Sequence, residues 1–443
     1  MKVLILTVTA GEGHNSTADA IRAQMEAEGV ECEVLDAALK ISRSLYTFIS
    51  KGYLLSTADF KSLYARVYGK LEQRKKNSFT PSFTRTTYGM VIRKIHEHIL
   101  RMQPDVIVYT HIFAGVLLDV IAQKKGLSAR TVGILTDFAM HPFWEESLRT
   151  DRVVIPNEML LPAARRKGLT DGQIAPIGIP IRPQFAEENA VPQAVARKEL
   201  GLAPDLPTVL LMGGSMGYGN LAGTLRELDN SPIPMQILCV CGNNAKAKEE
   251  IDALTFRRPV HNYGYTNEIA RMMDAADCIV TKPGGLTTSE ALAKRLPIII
   301  CNPIPGQEDR NTDFLLNMGA AMRVSRTVRL SDVLYQLFHN PARVTLMKES
   351  IDLIRKPNAT KDLIALVREL GAAARTAQEK ADGVGEKPAG EDPAGTPTAV
   401  PPLGRERPKE EPAPLRAAEE KYITPADPGA ATPLENRTSD AAG

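Results

Sequence analysis

The stretch Cys278-Ile-Val-Thr281-Lys282-Pro283-Gly284-Gly285-Leu286-Thr287-Thr288-Ser289-Glu290-Ala-Leu-Ala293 passes from an apolar run, through a Gly-Gly pair, into a helical pattern. This reads as a buried strand ending in a turn that opens a helix. Amides of a first helical turn have no partner within the helix, and the positive end of its dipole faces whatever lies beyond the glycines. A pyrophosphate suits that place. Glu290 follows about one and a half turns in, where a carboxylate can accept both hydroxyls of a ribose.

Working outward, the next strand is Ile298 to Cys301, and Pro303-Ile-Pro-Gly306-Gln307-Glu308-Asp309-Arg310-Asn311 follows it. Polar side chains there face the same ligand, unless the segment is a surface loop. Upstream, Thr208 to Met212, Met235 to Val240 and Val260 to Tyr263 are further strands alternating with helices. The loop Met212-Gly213-Gly214-Ser215-Met-Gly217-Tyr-Gly219 closes the first of them, and its glycines allow backbone N–H groups to approach phosphate oxygens. Taken alone that signal is weak.

An earlier cycle precedes this one. Lys2 to Thr9, Cys32 to Leu35, Asp105 to Tyr109, Arg130 to Leu135 and Arg152 to Ile155 read as strands, with a helix over Ser16 to Glu28. The prolines and glycines of Pro176 to Pro183 suit a linker. The expected fold class is therefore α/β, two Rossmann-like doubly wound domains facing across a cleft. Their expected extents are 1–182 and 183–371, with a disordered tail over 372–443. The tail carries eleven prolines between Pro388 and Pro433 and a single aromatic residue, Tyr422, too little apolar surface to offset ordering entropy.

Two candidates for acid–base chemistry lie in the first half. Thr9-Ala-Gly-Glu-Gly-His14-Asn-Ser is a glycine turn after the first strand, at the sheet edge where ligands bind. It lacks the G-x-G-x-x-G dinucleotide fingerprint, and it sets His14 at the cleft as a candidate base. Asp137, in Thr136-Asp137-Phe138, ends another strand and faces the same cleft. It can orient the histidine or take the proton itself; the alternative is a helix N-cap.

Bulk properties exclude other classes. A 443-residue chain with net charge +2 is not built to coat nucleic acid. Its five cysteines, Cys32, Cys239, Cys241, Cys278 and Cys301, sit in apolar runs without metal-ligand spacing, so structural thiols in a reducing cytosol are expected. The N-terminus reads as a strand and not as a signal peptide, and no apolar run reaches the roughly 18 residues a spanning helix needs. Residues 40–99 interleave cations (Lys51, Lys61, Arg66, Lys70, Arg74) with aromatics (Tyr46, Phe48, Tyr53, Phe60, Tyr64). Such segments lie on anionic membranes, although nucleic acid can use the same residues.

The G-x-G-H turn at His14, the T-K-x-G-G…E run from Thr281 to Glu290, and the G-Q-E of Gly306 to Glu308 stand in that order. Together they resemble the family of monogalactosyldiacylglycerol synthases and bacterial processive diacylglycerol glucosyltransferases, which shares its C-terminal half with the peptidoglycan GlcNAc transferase. The resemblance covers roughly residues 1–371. It implies the GT-B fold and an inverting transfer of a hexose from a UDP-sugar to diacylglycerol, or to a glycosyl-diacylglycerol, at the cytosolic membrane face. UDP-sugar is then a substrate, and neither cofactor nor metal is implied. His14 and Asp137 would be catalytic. Gly284, Gly285 and Ser215 would hold the diphosphate, Glu290 the ribose, Tyr265 the uracil, and Gln307 and Glu308 the hexose, with Gly213, Gly214, Lys282, Leu286 and Thr287 also in the donor site. Pro283 departs from the small residue usual in relatives. Three alternatives stay open: a UDP-GlcNAc transferase acting on a polyprenyl-linked acceptor, a UDP-sugar epimerase, and a UDP-sugar-binding membrane regulator with little turnover.

Overall fold

Apolar runs too short for helices and flanked by turn residues become parallel strands, and the amphipathic segments between them become the covering helices. The computed structural model describes residues 1–9, 12–41 and 84–383. The first half runs β1 (Lys2–Thr7), α1 (Glu12–Ala27), β2 (Glu31–Asp36), α2 (Ala37–Ile41), α3 (Thr84–Met102), β3 (Val106–Tyr109), α4 (Ile112–Lys125), β4 (Arg130–Ile134), β5 (Arg152–Val154), α5 (Leu161–Arg166) and β6 (Ile174–Ala175). These strands form a six-stranded parallel sheet in the order β2-β1-β3-β4-β5-β6.

The second half begins with α6 (Gln193–Glu199), β7 (Thr208–Met212), α7 (Leu221–Asp229), β8 (Gln236–Val240), α8 (Ala245–Asp252), β9 (Val260–Tyr263), α9 (Ile269–Ala275) and β10 (Cys278–Thr281). It continues through α10 (Gly285–Ala293), β11 (Ile298–Ile300), α11 (Gln307–Asn317), β12 (Ala321–Arg323), α12 (Leu330–Phe338), α13 (Pro341–Asp352) and α14 (Ala359–Gly383). Its sheet, again six parallel strands, has the order β12-β11-β10-β7-β8-β9. Each sheet is buried on both faces. Leu4 and Leu6 of β1 pack to one side with Ile107 and Tyr109, while Val3 and Ile5 pack to the other with Val106 and Val108.

Strand order reverses between β1 and β3 in one sheet and between β7 and β10 in the other. A crevice opens beyond the carboxyl ends of the strands at such reversals. His14 follows β1, Asp137 follows β4, Gly213, Gly214 and Ser215 follow β7, and Gly284 and Gly285 follow β10.

Two strands escape the sequence pattern: β6 has only two residues, and β12 is Ala-Met-Arg, with an exposed Arg323 and no β-branched residue to mark a strand. The last helix also differs from expectation. It runs on to Gly383, and although it follows the second half it packs on the first: Leu363, Ile364, Val367 and Leu370 share a core with Val3, Ile5, Val106 and Val108. These four residues fall on one helical face. The return is pinned at the linker, where Thr360 Oγ1 accepts from Ile181 N at 3.0 Å and donates to Ile181 O at 2.5 Å.

All five cysteines are free, and Cys239, Cys241 and Cys278 are buried. No helix among the described residues is long and apolar enough to cross a membrane. Most of the basic aromatic region, residues 42–83, and most of the proline-rich tail, residues 384–443, lie outside the described residues.

Candidate active site

His14 sits in the first turn of α1, just beyond β1. Its Nδ1 is 2.7 Å from the Thr110 carbonyl oxygen, and Thr136 Oγ1 lies 3.1 Å from the same nitrogen. A carbonyl only accepts, so Nδ1 carries the proton and Nε2 keeps its lone pair; the tautomer follows from this bonding. Burial pulls the His14 pKa below the usual imidazole range, with the Thr110 bond opposing. A neutral imidazole with a free lone pair is the form a general base needs.

Asp137, at the end of the segment after β4, does not hold His14: its Oδ1 accepts from Asn311 Nδ2 at 2.8 Å. The orienting partner expected of Asp137 is instead the Thr110 carbonyl. Burial lifts the Asp137 pKa to about 7, the Asn311 bond opposes this, and Glu308 adds to it.

The second half meets this segment closely. Asn311 is fully buried, and besides Asp137 it accepts from Phe138 N at 2.9 Å and donates to Pro283 O at 2.9 Å. Gln307 Nε2 donates to Ala139 O at 2.8 Å, and Phe138 stacks on Phe314 with centroids 5.3 Å apart. Gly285 is the tightest point, since a Cβ there would fall 1.8 Å from the Thr136 carbonyl oxygen. Overpacking of this kind typically costs about 1–3 kcal/mol. The Gly285→Ala variant is expected to lose that much stability, measured by denaturant unfolding, and to slow turnover because Thr136, a partner of His14, must shift.

On the donor side, Gly284 is the N-cap of α10 and offers no side chain. Beside it the hydroxyls of Thr281 and Thr288, both buried, lack a hydrogen-bond partner among the described residues. Lys282 Nζ pairs with Glu308 Oε1 at 2.5 Å, and Glu308 Oε2 accepts from Ile304 N at 2.8 Å. Gly306 enters α11 at φ 100°, ψ −108°, a conformation essentially confined to glycine. The β7–α7 loop flanks the same turn: a Cβ on Gly214 (φ 73°) would lie 3.2 Å from Lys282 Cε. Gly217 is more constrained, its own Cβ position falling 2.0 Å from the Cys241 carbonyl oxygen.

Glu290 is 2% exposed, and both its oxygens accept from Arg182, at 2.8 and 3.1 Å. Burial raises its pKa and the guanidinium opposes the rise. Arg182 itself lies over the Phe185 ring, 4.7 Å from the centroid, and Tyr265 is 66% exposed.

A cavity of about 250 Å³ runs between the halves. Of the residues singled out from sequence, His14, Asp137, Lys282, Gly284, Gly285, Leu286, Gln307 and Glu308 line it. Gly213, Gly214, Ser215, Tyr265, Thr287 and Glu290 lie outside its lining. Sequence reasoning missed three residues with evident parts: His111, Asn311 and Arg182. His111 lies two residues beyond the end of β3, so the positional rule that found His14 and Asp137 points to it as well. Arg182 was hidden in the proline-rich linker, and Asn311 closes a stretch already noted for its polarity.

Residues 14–181 match the family model for monogalactosyldiacylglycerol (MGDG) synthase, and residues 208–366 match that for the glycosyltransferase family 28 C-terminal domain. The chloroplastic monogalactosyldiacylglycerol synthase 1 of Arabidopsis thaliana is 30% identical over 392 residues, covering 83% of this chain and 71% of that protein. The processive diacylglycerol beta-glucosyltransferase of Bacillus subtilis is 27% identical over 370 residues, covering 82% of this chain and 94% of that protein. In fold, the structure resembles the crystal structure of Acinetobacter baumannii MurG, with a TM-score of 0.55 at 16% identity over 83% of this chain and 99% of that one. The paired parallel sheets are thus the GT-B arrangement, and the chain belongs to the monogalactosyldiacylglycerol synthase family of glycosyltransferases, alongside the bacterial processive diacylglycerol glucosyltransferases.

Proposed function

We propose that this enzyme moves a hexose from a UDP-sugar to the hydroxyl of diacylglycerol, or of a glycosyl-diacylglycerol, with inversion at the anomeric carbon, on the inner face of the membrane. The relatives named above act on diacylglycerol by their names. One observation supports transfer in a single displacement. The unprotonated edge of His14 and the N-terminus of α10 line a single cavity from opposite halves.

In this reading His14 Nε2 takes the acceptor proton as the hydroxyl oxygen attacks the anomeric carbon. The bond to the diphosphate breaks, and its negative charge is received by the amides of Gly285 and Leu286 with the hydroxyl of Thr287. A single displacement inverts the carbon. Glu290 binds the ribose: a carboxylate has about four lone-pair directions, so two remain for the ribose hydroxyls while Arg182 holds the others. Tyr265 faces the uracil, Gln307 and Glu308 the hexose. The basic aromatic region within 40–99 supplies the membrane contact.

Glu290→Ala removes charge-assisted hydrogen bonds worth about 1.5–3 kcal/mol. The variant is expected to raise KM for the UDP-sugar by roughly 10- to 100-fold with a smaller change in kcat. An unchanged KM takes Glu290 out of the donor site.

The reading itself is tested with the full chain, diacylglycerol in anionic mixed micelles and each common UDP-hexose in turn, following UDP release and glycolipid by mass spectrometry. A glycosyl-diacylglycerol is expected with one donor. UDP-sugar binding without glycolipid under any donor favours a polyprenyl-linked acceptor or a regulator instead.

A further inference from the structure

The three histidines that line the cavity, His14, His111 and His141, are not held alike. His14 donates through Nδ1 to the Thr110 carbonyl. His111 is the N-cap of α4, in the extended backbone conformation a cap requires, and its Nδ1 accepts from Phe113 N at 3.1 Å. A ring nitrogen that accepts an N–H bears no proton, so the neutral His111 ring carries its proton on Nε2, at the opposite edge. The His14 and His111 rings meet edge to face with centroids 4.6 Å apart. The ring with an Nε2 lone pair and the ring with an Nε2–H are thus neighbours on one cavity wall.

We propose that His111 is a further catalytic residue, a neutral donor that holds the acceptor's hydroxyl oxygen while His14 removes its proton. This rests on the transfer reaction proposed above. The His14–His111 pair offers one acceptor and one donor, and a hydroxyl answers both with its O–H and its lone pairs. An ammonium group brings only donors and leaves the His111 N–H facing nothing. A carboxylate brings only acceptors and meets the His14 lone pair with another. The pair therefore matches a hydroxyl group better than either charged group.

In the step itself the O–H proton passes to His14 Nε2. One oxygen lone pair keeps the His111 hydrogen bond, and another forms the bond to the anomeric carbon as the bond from that carbon to the diphosphate breaks, its electron pair leaving with the diphosphate. A neutral donor suits this better than a cation, which would bind the oxygen lone pairs tightly and blunt the nucleophile. Burial, with the charges of His14 and His141 adding to it, holds the His111 pKa well below the usual range. The ring thus stays neutral when His14 becomes charged.

Two substitutions separate this role from capping. His111→Asn keeps an N-cap acceptor, since asparagine is among the preferred caps, but withdraws the donor from the cavity. His111→Gln reaches as far as Nε2 with an amide N–H and gives up the cap. In the glycolipid assay with the full chain, H111N is expected to lower kcat roughly 10- to 100-fold with donor KM and melting temperature near wild type. H111Q is expected to recover most of the rate while melting earlier. H111N turning over at the wild-type rate, or H111Q as slow as H111N, would overturn the proposal. Wild type that binds UDP-sugar yet forms no glycolipid removes the parent reading, and this inference with it.

Discussion

Replacing His14 with alanine is expected to lower kcat for glycolipid formation by at least about 10²-fold, the lower end of what a positioned general base contributes. UDP-sugar affinity should change little. His14's partners, Thr110, Thr136 and His111, all belong to the first half, while the turns assigned to the donor belong to the second. Kinetics combined with calorimetric titration of the UDP-sugar separates the two effects. The sign of the pH dependence is fixed by the same geometry. The base must be unprotonated, and burial holds its pKa below 6.5. The rate is therefore full at neutral pH and falls as pH drops through that lowered value; His14→Ala should erase this acid limb. Near-normal turnover of the variant, or an unchanged limb, excludes His14 as the base.

The elements that were legible in the sequence share one cause. Parallel strands buried on both faces read as continuous apolar runs, so β7 and β10 stand at the residues expected, and β1 stops at Thr7 instead of Thr9. Glycine turns at strand ends were equally plain, because close approaches such as that of Gly285 to Thr136 leave room for no other residue. Contacts between distant segments were not legible. Asn311 reaches residues 174 positions away, Arg182 reaches Glu290 across 108, and α14 returns to the first sheet; none of these leaves a local pattern. His14 was visible as a candidate, but its tautomer depends on the Thr110 carbonyl 96 residues on. Only the fold brings that carbonyl near.

Asp137→Asn is expected to stabilise the enzyme above pH 7 by on the order of a few kcal/mol and to bring no gain near pH 4. The folded carboxyl keeps its proton up to about 7, chiefly because it is buried, whereas in the unfolded chain it ionises near its ordinary 3.8. Between those values the folded state binds more protons than the unfolded state, so raising the pH removes stability through that window. Above it the loss is constant. Asparagine keeps an oxygen for the Asn311 N–H that now bonds Oδ1 at 2.8 Å, and it never ionises, so the whole loss is recovered. Denaturant unfolding of both proteins at pH 4 and pH 8 gives the difference directly. A variant less stable than wild type at pH 8 would mean that the native carboxylate is ionised and held by Lys282, reversing the sign. A gain at pH 8 carries a second consequence. Asp137 sits on the cavity wall beside Glu308 and Lys282, and a carboxyl kept there at a cost in stability marks a trade of stability for activity. The stabilised variant should therefore be the slower enzyme, and one that is both more stable and equally fast would reduce Asp137 to a link between the halves.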